Sequence, residues 1–224
     1  AFISYVPSRS LPLPQEGEIA RSDIIAPANL NIEDKETTEN RRKEAGDVIL
    51  PVYTLKADIF SNTEENIREF FNFGREWLKE PVTVARRDDF QKDIQEKYDF
   101  EIPSKDLRLL IKTKFSTVTE ESLVSLLGKI SAQGIILSKN LFIYGEQERG
   151  FNLLTGPDTE KILKIEEIID TKEAKEILGE EIGQLDVHRN QKDLLTDLAS
   201  FFLSANITYN KTETEARKEQ ARQS

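Results

Sequence analysis

Two stretches near opposite ends of the chain read as copies of one another. Ala28-Asn-Leu-Asn-Ile32, followed by Thr38-Glu-Asn-Arg-Arg-Lys-Glu-Ala45, is answered by Ala205-Asn-Ile-Thr-Tyr209, followed by Thr214-Glu-Ala-Arg-Lys-Glu-Gln-Ala221, with one residue of slack. Each copy gives Ala-Asn, alternating apolar residues, a polar link and then Thr-Glu-x-Arg with a closing alanine. Alternation is the pattern of a strand, and the charged run after it is a helix driven by propensity. Lys/Glu-rich helices resemble one another readily, so the helical half alone would say little; the strand and the helix matching together carry the reading. A strand-and-helix unit at each end predicts that the end segments are neighbours and pair in one sheet. A domain inserted between two membrane helices needs that arrangement.

Between the copies the chain is mostly helical. Residues 1–22, with Pro7, Pro12 and Pro14, read as an extended arm, and residues 23–224 as a single α+β domain with related end segments 28–53 and 205–224. Ile49 to Tyr53 reads as extended. The strongest helix falls at about 57–79, where Ile67, Phe70, Phe71, Gly74, Trp77 and Leu78 form one stripe and Ser61 and Glu64 suggest a capping box. Phe90, Ile94 and Tyr98 share a face of the next helix. Pro103-Ser104 opens another through Leu107 and Leu110, and Thr119 is placed to cap one that Gly134 stops. A β section follows: Ile135 to Leu137, Leu141 to Tyr144, Phe151 to Leu154, a turn at Thr155 to Asp158, and Ile162 to Ile169. Helices at about 171–182 and 188–203 lead into the terminal copy. The fold class expected is α+β, mostly helical, with a small sheet from the central β section and the two terminal repeat strands.

The side-chain inventory excludes most chemistry. There are no cysteines, so there is no thiolate nucleophile and no cysteine-ligated metal. The single histidine, His188, has no second to share a metal and reads as a solvated or capping residue. The carboxylate pairs Asp88-Asp89, Glu120-Glu121, Glu166-Glu167 and Glu180-Glu181 are sequence neighbours that diverge on a helix, and they read as solvated faces. Gly179 and Gly183 read as helix-end glycines, not a phosphate loop. A net charge of −10 argues against nucleic acid as a partner, because phosphate binding needs a basic face. Only Arg41, Arg42 and Arg217 suggest an anion site between the two copies, set against ordinary ion pairing along solvated helices. No cofactor is called for, and the inventory predicts a non-catalytic chain. The absence of methionine, even at position 1, predicts a piece of a longer protein.

Gly17-Glu-Ile-Ala-Arg-Ser-Asp-Ile-Ile-Ala-Pro27, then Asp34, Thr38, Arg41 and Ala45 at their spacing, then Pro51-Val-Tyr53, resembles the start of the extracytoplasmic domain of the seven-transmembrane HD phosphohydrolases. Asn206, Thr214, Arg217 and Ala221 are similar to that domain's membrane-proximal end. The resemblance covers roughly the first 55 and last 25 residues. It implies a domain on the outer face of the bacterial inner membrane, held by flanking transmembrane helices of its own chain. It also implies a cytoplasmic metal-dependent His-Asp domain, elsewhere in the protein, that hydrolyses cyclic di-AMP. No catalytic residue carries over, since His188 is followed by Arg189. The role implied is sensing an unidentified extracytoplasmic ligand or protein and relaying the signal inward. A free-standing helical interaction scaffold of the cell envelope stays open as the alternative, and an enzyme with an unfamiliar carboxylate site as a third.

Overall fold

The computed structural model describes residues 35–142, 149–156 and 159–223. The arm expected at 1–22, the strand expected at 28–32, most of the N-terminal motif of the resemblance, Ile143-Tyr144 and Pro157-Asp158 lie outside these residues. The chain divides into two units, residues 1–41 and 42–224. Of the first, residues 35–41 are described, as the opening of helix α1 (Lys35–Val48).

The second unit is α+β, as expected. Seven further helices follow α1 among the described residues: α2 (Ala57–Trp77), α3 (Val84–Tyr98), α4 (Ser104–Lys112), α5 (Thr117–Ser131), α6 (Thr171–Gln184), α7 (Arg189–Phe202) and α8 (Lys211–Gln223). Six strands join one curled, mixed sheet: β1 (Val52–Leu55), β2 (Ile135–Ile136), β3 (Phe151–Gly156), β4 (Thr159–Leu163), β5 (Ile169–Asp170) and β6 (Ile207–Tyr209). Their order is β4-β3-β1-β6-β2-β5. The strands nearest the two chain ends, β1 and β6, occupy the middle and pair antiparallel, with Tyr53 opposite Tyr209 and Leu55 opposite Ile207. The remaining strands come from the central β section.

Two cores result. The helical core gathers the stripe of α2 (Ile67, Phe70, Phe71) with Phe90 and Ile94 of α3, Leu107 and Leu110 of α4, and the inner faces of α5, α6 and α7. Each fully buried large side chain contributes roughly 1.5–3 kcal/mol relative to exposure. Trp77, Phe73 and Phe201 pack against this core half-buried. The smaller core is the sheet's own, with Tyr53, Phe142, Phe151 and Ile207 at its centre.

Local expectations hold unevenly. The capping box at Ser61 and Glu64 is not formed. α2 starts one turn earlier, at Ala57, where the Lys56 N–H donates to Asn206 O at 2.7 Å, and Glu64 instead accepts from Arg68. Thr119 likewise lies inside α5, which begins at Thr117. Lys139–Leu141 forms a tight 3₁₀ turn where a strand was expected from Leu141, because Ser138 Oγ accepts from the Asn140 N–H and closes it. Gly179 sits within α6, while Gly183 is in its last turn.

Glu120 corrects the reading of the carboxylate pairs. It is 5% exposed, not solvated, because Arg75 reaches its Oε2 at 2.7 Å and Arg68 its Oε1 at 3.3 Å. Glu121 remains at the surface and takes a further contact of Arg68, at 2.8 Å. Two guanidinium groups on α2 thus make a buried carboxylate tolerable on α5.

Candidate functional site

β1 and the segment from β6 into α8 meet in a stitched joint. Asn210 opens α8: its Oδ1 accepts from the Glu213 N–H at 3.0 Å, and its Nδ2 donates to Thr54 Oγ1 at 3.1 Å. This is an N-cap that also reaches the neighbouring strand. Thr214, one turn on, is 0% exposed in an otherwise charged helix. Its hydroxyl donates to Asn210 O at 2.8 Å and accepts from the Val52 N–H at 2.9 Å. The Asn210 N–H completes the loop by donating to Val52 O at 2.8 Å. Farther along, α1 and α8 lie so close that a Cβ on Gly46 would stand 2.8 Å from Arg222 Nε.

Asn206 fastens β6 to its other neighbours. It is 4% exposed. Its Oδ1 accepts from the Ile135 N–H at 2.7 Å, and its Nδ2 donates to Ser131 O at 2.7 Å. Its main chain bonds Ile135 O and the Lys56 N–H. Its side chain therefore ties the end of α5 to the start of β2, and its main chain adds the exit of β1. Asn206 and Thr214 are two of the four residues on which the terminal resemblance rests, and both are buried structural latches.

Replacing Thr214 with valine keeps the shape and removes the acceptor for a buried N–H. The expected cost is about 1–2 kcal/mol in chemical denaturation, with serine recovering most of it. Equal stability of the valine and serine variants would count against the joint.

The arginine candidates fare differently. Arg217 spends its charge inside the fold: Nη1 and Nη2 fork onto Glu160 at 2.6 and 3.1 Å, and Nε donates to Glu213 at 2.8 Å. These bonds tie α8 to β4. Arg41 and Arg42 are exposed on α1 and have no ion pair among the described residues. His188 is exposed at the N-cap of α7, where its N–H donates to Gln191 Oε1 at 3.3 Å. No cluster among the described residues has the three acidic, histidine or cysteine side chains needed to hold a metal.

Two further features were not read from the sequence. A cleft of about 310 Å³ opens between α2, α3 and the end of α7, lined by Thr63, Asn66, Lys97, Tyr98, Phe201 and Ser204. There the Tyr98 hydroxyl is buried without a hydrogen-bond partner, and burial raises its pKa. The second is Asp106 on α4, 2% exposed and facing Asp197 of α7. A signal existed, since Asp106 precedes Leu110 by four residues and so shares its buried face.

A helical core beside a mixed sheet, with β1 and β6 paired at the sheet's centre, defines an α+β module. Residues 15–224 match the 7TM-HD extracellular family, and the chain belongs to it. No curated protein and no solved structure matches it. Membership makes it an extracellular domain of the seven-transmembrane HD type, and no helix among the described residues is long and apolar enough to cross a membrane.

Proposed function

We propose that this chain is the non-catalytic extracytoplasmic sensor or interaction domain of a membrane-anchored HD phosphohydrolase resembling the cyclic di-AMP phosphodiesterases. Transmembrane helices of the same protein flank it and hold it at the outer face of the bacterial inner membrane. It takes an extracytoplasmic ligand or protein, needs no cofactor of its own, and relays its state to a catalytic domain across the membrane.

The observation that supports this most directly is the joint. β1 and β6 lie paired, and Thr214 and Asn210 bond across to Val52 and Thr54. A change in packing that shifts one end segment is thereby passed to the other, and both would continue into the membrane. Rigid coupling of this kind is what a relay between two states requires.

The test uses the full-length protein in lipid nanodiscs, intact and with residues 35–223 replaced by a short flexible linker. Cyclic di-AMP hydrolysis is followed with and without soluble peptidoglycan fragments or an envelope extract. The shortened protein is expected to hydrolyse the substrate and to lose any response shown by the intact one. Loss of all hydrolysis on excision, or an unchanged response, would overturn the reading.

A further inference from the structure

The contact between α4 and α7 buries a carboxyl group for which the relay has no evident structural need. Asp106 is 2% exposed, and its Oδ2 has no hydrogen-bond partner. With Oδ2 cut off from water and from any donor, burial favours the protonated form. Its surroundings add to the effect. Asp193 and Asp197, four residues apart and so on one face of α7, both act on it, Asp197 the more strongly. The cation acting on it is Lys105 of its own helix, whose Nζ stands 3.3 Å from Asp197 Oδ2. Beside this ion pair lies a cleft of about 120 Å³ lined by Lys105, Asp106, Leu109, Asn190 and Asp193, so that carboxylates outnumber the one ammonium. A single proton resolves the conflict, since a neutral carboxyl donates to its ionised partner.

We propose that Asp106 and Asp197 form a proton-sharing pair that closes the α4–α7 contact in acid and strains it when both ionise, so that the domain responds to extracytoplasmic pH. This deepens the sensory reading and rests on it. α7 is the helix that runs through Leu203 into Asn206, β6 and α8, so strain at Asp197 bears on the element that carries the joint.

Burial first, and the neighbouring Asp197 carboxylate second, push the Asp106 carboxyl up to about 6. In the unfolded chain an aspartate titrates near 3.9. The pair's stabilisation is therefore complete below about pH 4, declines between about 4 and 6, and is absent above.

Urea denaturation of the chain at several values from pH 4.5 to 7.5 tests the pair, with Asp106→Asn and Asp197→Asn as comparisons. Relative to Asp106→Asn, the unfolding constant of the wild type is expected to rise on the order of twentyfold across that range. In Asp197→Asn the carboxamide donates to an ionised Asp106, and the transition moves to lower pH. A gap between wild type and Asp106→Asn that stays constant across the range overturns the proposal. Should Asp106→Asn fail to fold, carboxyl NMR titration of the wild type decides: a midpoint near 6 supports the pair, and one near 4 or below overturns it. Hydrolysis by the full-length protein enters none of these readouts, so the relay and the proton pair can fail separately.

Discussion

Replacing Gly74 with alanine is expected to destabilise the chain by about 3 kcal/mol, the upper end of overpacking costs, read as a lower urea midpoint. Helix propensity alone predicts the opposite, since alanine is favoured over glycine by up to about 1 kcal/mol within a helix. Packing decides the sign here. A Cβ built on Gly74 would clash with Cγ, Cδ1 and Cε1 of the Phe115 ring, and Phe115 has nowhere to go. It is fully buried among Phe70, Phe71 and Phe90, with ring centroids 6.1, 6.2 and 6.0 Å away. Its backbone is fixed in a left-handed conformation (φ 49°), its N–H is bonded to Leu110 O at 2.8 Å, and its carbonyl accepts from Arg75 at 2.9 Å. Gly179 provides the contrast. It lies within α6, and a Cβ added there would meet nothing within 4 Å, so Gly179→Ala is expected to stabilise by up to about 1 kcal/mol. Adding Phe115→Leu to Gly74→Ala should cost less than the sum of the two single changes, because the smaller side chain relieves the clash. Equal gains from Gly74→Ala and Gly179→Ala would show that the Phe115 ring yields freely, and the close-packing account would fail.

Gly74 illustrates what the sequence could and could not disclose. Its place on the stripe with Phe70, Phe71 and Trp77 was legible from spacing, as were α5, α6 and α7, because helical periodicity is local. That a ring from the α4–α5 turn lies over it was not legible, since a contact across some forty residues leaves no periodic trace. Helix starts were the weakest part. Ser61 and Thr119 look like caps in isolation, yet the chain begins α2 where Lys56 leaves β1, and α5 directly after the Phe115 turn.

The same limit applies to charges. Glu120 and Glu121 look alike in sequence, and only the arrival of Arg68 and Arg75 from α2 makes one of them a buried group. Arg217 could be read as an anion ligand until Glu160, from a strand 57 residues away, was seen to hold it. The central place of β6 beside β1 has a different kind of precursor in the sequence. The similarity of the two copies is itself a long-range signal, and the terminal copy's strand and helix form as read. The sheet partner of β6 is β1, directly after the first copy's helix, while the strand expected at 28–32 lies outside the described residues.

Asn206→Ala should be among the most damaging polar substitutions in the chain, at about 3 kcal/mol. Two bonds disappear at once, and the groups left behind matter more than the bonds themselves. The Ile135 N–H and the Ser131 carbonyl meet Asn206 at 2.7 Å each, at a position where the side chain is 4% exposed. Water cannot replace the lost carboxamide without opening the sheet, so each group bears a desolvation penalty of about 1–3 kcal/mol. Asn206→Asp separates the two contributions. Its oxygen can still accept from the Ile135 N–H, but an ionised carboxylate faces the Ser131 carbonyl with no proton to donate. Below about pH 4 the protonated side chain regains a donor, so this variant should approach wild-type stability in acid and fall away towards neutrality. Hydrogen exchange adds the spatial test. Because the Asn206 side chain accepts from the Ile135 N–H and fastens β6 to β2, its loss should speed exchange at Ile135 and Ile207 before the amides inside α2. Uniform acceleration throughout the helical core would instead mean that Asn206 supports the whole fold and has no special hold on the joint. A loss below about 1 kcal/mol would mean that the buried groups find other partners, and the latch would have to be sought at Thr214 alone.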